Sequence, residues 1–423
     1  MFGPATKREG VDGRRQLTAL AERGIYAAIL PRCPVRCTLR LQILVILVAL
    51  AVASRAAAWT LGDPDSPSTL DVHGFVSQGF IKSTANDYLV DSSSGSFEFS
   101  EAGLNFTTQL TDRLRAGLQL FAFDQGSLGT FDVRADWFYL DYHFKDWFGV
   151  RAGRVKLVYG LYNDISDIDA ARTPVLLPAS IYPETNRYYL LAVTGGELYG
   201  FVNLNRGGGL DYHLIGGAIP VELPSQIGAP EQASNIDIPY IAAGRIMWET
   251  PLDGLRVGAT GAVLKLNETA VFAPMPPMPT LPPLNAHAVE YVGVLSGEYV
   301  GHNLLLAAEG GSSRTTLTDD QPALVPPGRT VSGGGYGLAA YRVTPWLQPA
   351  LYYSVYWPNV DDRNGPGKFQ DDLSGTLRFD INNYWLVKLE AHYMHGTAVL
   401  SGEQITMGRE NWGLFLLKTT AYF

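Results

Sequence analysis

The chain has 423 residues, of which 46% are hydrophobic and 17% charged, with a formal net charge of −9. Setting aside the first 58 residues as a leader removes nine of the 32 Lys/Arg and three of the 41 Asp/Glu, leaving 23 basic against 38 acidic residues, a net charge of −15. That balance argues against a nucleic-acid partner, whose phosphates need a basic face, and because Cys33 and Cys37 both fall in the leader, the rest has no thiol for a disulfide or metal.

The leader is recognisable by its order of parts. Basic residues between positions 7 and 40 precede an apolar run at 41–53, and Ala56, Ala57 and Ala58 supply the small residues of an export cleavage site. The apolar run is about a dozen residues long where a membrane span needs roughly 20. Residues 1–58 are therefore read as a signal peptide with an N-terminal extension, and 59–423 as a single mature domain. No later stretch is apolar for anything like 18 residues, so membrane contact would have to be made by a β-barrel.

Period-two alternation recurs along the mature chain. Leu114, Ala116, Leu118, Leu120 and Ala122 form one face, with Arg115, Gly117 and Gln119 on the other. Short turn signals at 111–112, 145–146, 205–208, 251–254, 301–303, 344–345 and 382–383 alternate with longer connections near 83–94, 125–130, 157–187, 220–237, 269–285, 316–330, 359–368 and 399–410. A sandwich would show the same alternation of side chains. The strict alternation of short and long connections instead predicts an all-β, transmembrane, antiparallel up-and-down β-barrel of about 16 strands. The segment around Gly195 and Gly196 is read as one strand with a glycine kink, since splitting it would give an odd number.

The connection at 157–187 is the longest, and it mixes Val175, Leu176, Leu177, Ile181 and Tyr182 with Asp164, Asp167, Asp169, Arg172 and Glu184. A loop this long is functional or disordered, and its apolar content argues for packing inside the barrel. The stretch "LDYHFKDWFGVRAGRVKLVYGLYNDISDIDAARTPVLLPASIYPE" resembles bacterial porin-type proteins related to the phosphate-selective porins, in which a strand ending in a "GR-K-P-G" type phrase leads to an in-folded loop. Val158 stands where those sequences often have proline. The resemblance implies a homotrimeric 16-stranded outer-membrane channel with an eyelet at its in-folded third loop.

Arg151, Arg154 and Lys156 enter that loop, and simple alternation would turn some of them toward lipid at about 2–4 kcal/mol each near the midplane. A bulge at Gly153 is expected to bring all three into the lumen, opposite Asp164, Asp167 and Asp169, with Arg172 in the same constriction. Such opposed charges either create a transverse field that sets ion selectivity or pin the loop to the wall. The net charge of −15 leans toward cations, although it includes the loops.

Farther along, Leu373, Gly375, Leu377, Phe379 and Ile381 oppose Asp372, Ser374, Thr376, Arg378 and Asp380, and Val387, Leu389 and Ala391 oppose Lys388, Glu390 and His392. Arg378, Lys388 and Glu390 are accordingly expected to line the pore and face water, with Leu377 and Leu389 in lipid. The proline-rich "APMPPMPTLPP" at 273–283 reads as a stiff extended spacer. His392 and His395 lie three apart on a strand and so point to opposite faces, which makes a shared metal improbable; no metal or cofactor is expected. No serine lies in a nucleophile-elbow phrase, and the chain is read as not an enzyme. Phe423 is the aromatic last residue usual in outer-membrane barrels.

The expectation is a porin exported to the bacterial outer membrane, in contact with lipid and lipopolysaccharide, and passing small hydrophilic or ionic solutes by diffusion. The alternative is a closed structural or adhesive barrel.

Overall fold

Alternating side chains are realised as antiparallel strands that close on themselves. The computed structural model describes residues 59–61, 69–126, 129–186, 190–220, 232–271, 284–320, 322, 326–402 and 404–423. The leader and its cleavage site, the loop tips at 221–231 and 272–283, and with the latter the proline-rich spacer lie outside the described residues.

A short strand β1 (Trp59–Leu61) precedes sixteen barrel strands. These are β2 (Leu70–Ser83), β3 (Ser100–Thr111), β4 (Leu114–Asp124), β5 (Arg134–Lys145), β6 (Phe148–Lys156), β7 (Ala192–Asn203), β8 (Gly209–Ile219) and β9 (Gln232–Glu249). The second half comprises β10 (Leu255–Val271), β11 (Leu284–Gly301), β12 (Leu304–Asp319), β13 (Gly328–Tyr341), β14 (Leu347–Trp357), β15 (Gln370–Asn382), β16 (Trp385–Gly396) and β17 (Asn411–Tyr422). Each pairs antiparallel with its chain neighbours, and β17 closes the ring on β2, from Leu414↔Ser83 to Tyr422↔Phe75. Beyond that pairing Gly74 and Phe423 exchange two backbone hydrogen bonds of 3.2 and 2.9 Å. β1 then continues along β2, Trp59 opposite Val72. Among the described residues, the sixteen barrel strands leave no free edge to template aggregation.

The seven tight turns and eight long loops fall where the sequence places them, and β7 is one strand through Gly195 and Gly196. Facing is clear on β15–β17 and β2. Leu377, Leu389, Leu417 and Phe80 are directly opposed in one outward row, while Arg378, Lys388, Lys418 and Gly79 form the neighbouring inward row. At the turn end, Tyr142, Phe144 and Phe148 lie in tilted ring contact, with centroids 4.5 and 5.2 Å apart, where an interfacial girdle belongs.

The bulge expected at Gly153 is not there. Its pairing is unbroken, Tyr139↔Gly153 and Gly153↔Gly195. The extra residue lies on β5 instead, where Asp136 is skipped between the pairs Gln119↔Trp137 and Leu120↔Ala135. Gly153 has φ +135°, and a Cβ there would sit 2.3 Å from the Phe138 carbonyl oxygen. Close backbone approach, rather than an inserted residue, requires the glycine.

Leu389, 44% exposed on the outer face, tests the facing. Leu389→Arg should lower the folding free energy in lipid vesicles by about 2–4 kcal/mol, read by urea titration. A change below ~0.5 kcal/mol would place that row away from the hydrocarbon.

Candidate functional site

The segment 157–191, the third loop, leaves β6 and turns into the barrel. It contains three single 3₁₀ turns, Asn163–Ile165, Asp169–Ala171 and Glu184–Asn186. Its apolar residues bury in three places, the first of them on the β6–β10 wall, where Leu157, Tyr159 and Leu190 pack with Val155, Val193, Ile215, Ile241 and Leu264. Val175 and Leu176 pack with Ile81, Leu89, Trp412 and Leu414 near the β2–β17 seam. Leu161, Leu177, Ile181 and Tyr182 pack with Val294, Tyr336, Leu338 and Tyr352 on β11, β13 and β14.

A loop inside a barrel has no sheet partner for its backbone, so the wall must supply the missing hydrogen bonds. On β16, Lys388 donates to the carbonyls of Asp169 (2.7 Å) and Arg172 (2.8 Å). Two residues on and on the same face, Glu390 accepts from the amides of Val175 (2.7 Å) and Leu176 (2.8 Å). Arg378 adds bonds to the carbonyls of Ala170 (2.8 Å) and Arg172 (3.1 Å). On the other side Glu309 of β12 accepts from the Leu161 amide (3.0 Å) and from the hydroxyls of Tyr336 and Tyr182. Arg245 of β9 donates to the Gly160 carbonyl (3.1 Å).

The loop's acids divide between the two walls. Asp169 meets Lys388 at 3.0 Å, Lys418 at 3.6 Å and the Thr420 hydroxyl at 2.9 Å. Burial opposes its charge, yet Lys388, Lys418 and Arg172 prevail and hold the carboxyl well below the usual carboxylate range. Asp167 is held by Lys156 and by Gln119 (2.7 Å). Asp164 is one-third exposed, 3.7 Å from Arg245.

These positions revise the expected constriction. Lys156 does reach the loop, through Asp167 and the Asp164 carbonyl. Arg151 instead pairs within the wall, with Asp141 and Glu197 at 3.1 Å each. Arg154 falls in the row of Phe138 and Thr194, both exposed on the outer face, and its guanidinium bonds the Asp136 carbonyl at 2.7 Å. Without a bulge at Gly153 nothing turns Arg154 inward. Arg172 is buried and bonds the Val175 carbonyl within the loop. Arg378, Lys388 and Glu390 lie on the inward face but meet the loop rather than water, because the loop lies on top of them.

Several site residues escaped the sequence reading. Arg115, Asp141 and Glu197 join the expected Arg151 in a directly opposed row on β4, β5, β6 and β7, alternating in charge. The row continues through His213 (2.6 Å from Glu197) and Asp211 (3.2 Å from His213) toward Arg245, 3.9 Å away. Arg256 and Glu298 pair at 2.7 Å on β10 and β11, and Glu298 accepts from the Tyr162 hydroxyl of the loop. Parity alone could have put Arg115 inside; nothing local marks Glu309 or Lys418 as loop anchors. His392 lies buried between Asp372 (2.9 Å) and Glu390 (3.0 Å), while His395 faces outward beside Asp371 and Glu410.

No family model and no curated protein matches the sequence. Solved structures do. The chain is similar to OmpT, an outer-membrane protein of Vibrio cholerae, with 12% identity over 86% of this chain and all of that one, at a TM-score of 0.55. It is also similar to an anion-selective porin from Comamonas acidovorans, with 12% identity over 84% of this chain and all of the other, at a TM-score of 0.53. The outer-membrane channel DcaP of Acinetobacter baumannii gives 11% identity over 87% of this chain and all of that one, also at 0.53. At these identities the likeness establishes the fold: a porin-type 16-stranded barrel.

Glu390→Ala should strip two buried amides and His392 of their partner, at about 3–5 kcal/mol for breaking a buried charged contact. Hydrogen exchange at Val175 and Leu176 should then accelerate by roughly 100-fold or more while the strands stay protected. Unchanged exchange at those two amides would show that Glu390 does not hold the loop.

Proposed function

We propose that the chain is an outer-membrane porin, exported behind residues 1–58 and passing small hydrophilic or ionic solutes between the third loop and the β4–β10 wall. The observation that carries this reading is the exposure of inward-facing charge. Arg115 is 40% exposed, Arg256 42% and Asp211 34%, although all three lie on the inner face. Ionic side chains keep contact with water inside a barrel only where the interior holds water, since an isolated charge is too costly to bury dry. The loop-end half of the β6–β10 wall is apolar and packed, through Val155, Val193, Ile215, Ile241 and Leu264, so the wet charge lies toward the turn end, where Arg115, Asp211 and Arg256 begin their strands.

The exposed charge toward the turn end of this wall comes from Arg115, Arg151 and Arg256, with Asp211 and Glu249 among them and Asp164 of the loop facing them. Charged groups lining a narrow path set ion preference. The arrangement supports a mild preference for anions, in keeping with the anion-selective porin among the structures of the same fold. The negative net charge of the mature chain resides largely elsewhere, including acids already neutralised by Lys388, Lys418 and Lys156. The phosphate-selective resemblance fits this preference without requiring phosphate. Assembly as a homotrimer is part of the same proposal, resting on the resemblance and tested by cross-linking in membranes.

In planar bilayers the protein should give ohmic steps with a reversal potential displaced toward anions under a salt gradient. Neutralising Arg115, Arg151 and Arg256 together should move that potential toward cations, and Asp164→Asn should move it the other way. Absence of conductance would favour the closed barrel, and identical potentials in all variants would refute the placement of the path.

A further inference from the structure

Cations on the inner wall are paired, whereas a group on the outer wall is not. Directly opposed residues on β9–β13 form the outward row Tyr240, Lys265, Val289, Thr316 and Arg329. Arg314 lies one pair lower, opposite Tyr291, with its guanidinium 5.0 Å from the ring centroid. Tyr240, Tyr291 and Arg329 are exposed, so the face is the outer one. Among the described residues, none of Lys265, Arg314 and Arg329 forms an ion pair. The acids of the same sector, Glu268, Glu290 and Asp319, alternate to the inner face; of the outward ones, Asp237 lies 3.5 Å from the Asn267 amide and Asp320 accepts from the backbone and side-chain amides of Asn285 at 3.2 and 2.7 Å.

Unpaired cations beside two exposed tyrosines, Tyr240 and Tyr291, toward the loop end of the strands call for an anion that belongs to the membrane. Lys265 and Arg329 are three strand spacings apart, roughly 14 Å, and Arg314 falls between them. Below this arc the outer wall carries Gly261, Gly293 and Gly310, where an added Cβ would meet nothing within 4 Å, beside Leu295, which is 70% exposed. The surface thus places positive charge above an apolar furrow. We propose that it binds the bisphosphorylated disaccharide of lipid A, with Lys265 and Arg329 toward the two phosphates, Arg314 between them and acyl chains along the furrow. Charge complementarity selects this occupant over a second copy of the chain, which would have to bring three carboxylates. The inference rests on the outer-membrane placement proposed above.

The test uses delipidated full-length protein in detergent, titrated with bisphosphorylated, monophosphorylated and dephosphorylated lipid A and read by native mass spectrometry. The K265Q/R314Q/R329Q variant, checked for folding by heat-modified gel migration, should bind the bisphosphorylated lipid ~100-fold more weakly, since each cation near an anionic surface contributes comparably. The monophosphorylated lipid should bind with intermediate strength. Equal binding by wild type and variant, or equal binding of the dephosphorylated lipid, would overturn the proposal, as would dissociation of an oligomer by the variant without loss of lipid binding. Single-channel recordings keep this test separate from that of the channel. Conductance unchanged in the variant is expected, and a silent wild type that still binds lipid A would sink the porin reading alone.

Discussion

The interior depends on how a segment without sheet partners satisfies its backbone. The third loop crosses a space where its amides and carbonyls would otherwise have to be met by water, and Lys388 and Glu390 show how the wall replaces that water. Spaced two apart, they project from one strand to the same side, one carrying donors and the other acceptors. Lys388 gathers carbonyls at 169–174 and Glu390 gathers the next two amides. On β12 Glu309 does the same for the loop's entry, through Leu161 and Tyr182. With both ends fixed, Val175, Leu176 and Ile181 can bury, and the apolar content that marks this loop in the sequence finds its use.

Holding the loop against the β11–β17 side decides where charge stays free. Arg378, Lys388 and Lys418 stand side by side in one row, an arrangement that would be repulsive alone and becomes favourable when Asp169 and several carbonyls lie over it. On the opposite wall the row Arg115, Asp141, Arg151 and Glu197 alternates in sign and balances itself, so it needs no loop and remains partly open. Both walls hold the loop, the second through Lys156, Gln119 and Arg245, but only the second keeps a row of charge that is balanced without it.

The barrel was legible in the sequence because its two signals are local. Alternation sets facing within a strand, and Gly, Asn, Asp or Pro at each hairpin marks its end, so the turns and the single strand through Gly195 could be placed without knowing any partner. The third loop was legible for the same reason, by length and apolar content. Its partners were not. Asp169 meets residues more than two hundred positions away, and no spacing rule links it to Lys418. Arg154 was assigned inward by supposing that Gly153 inserts a residue, but glycine also serves where two backbones approach closely, and here it does. The residue that breaks the ladder, Asp136, has nothing in its neighbourhood that announces a bulge.

The central claim is that the loop rests across the lumen while the path beside it stays open. Ser180 of the loop and Ser354 of β14 face each other with their hydroxyl oxygens 2.9 Å apart, and no other cysteine would exist beyond residue 58 of a Ser180→Cys, Ser354→Cys variant. Direct contact of the two hydroxyls makes the side chains neighbours, the first requirement for a disulfide. The cross-link should form under mild oxidation, and single-channel conductance in planar bilayers should be the same oxidised and reduced. Failure to cross-link in the folded barrel, or closure of the channel on oxidation, would contradict the account.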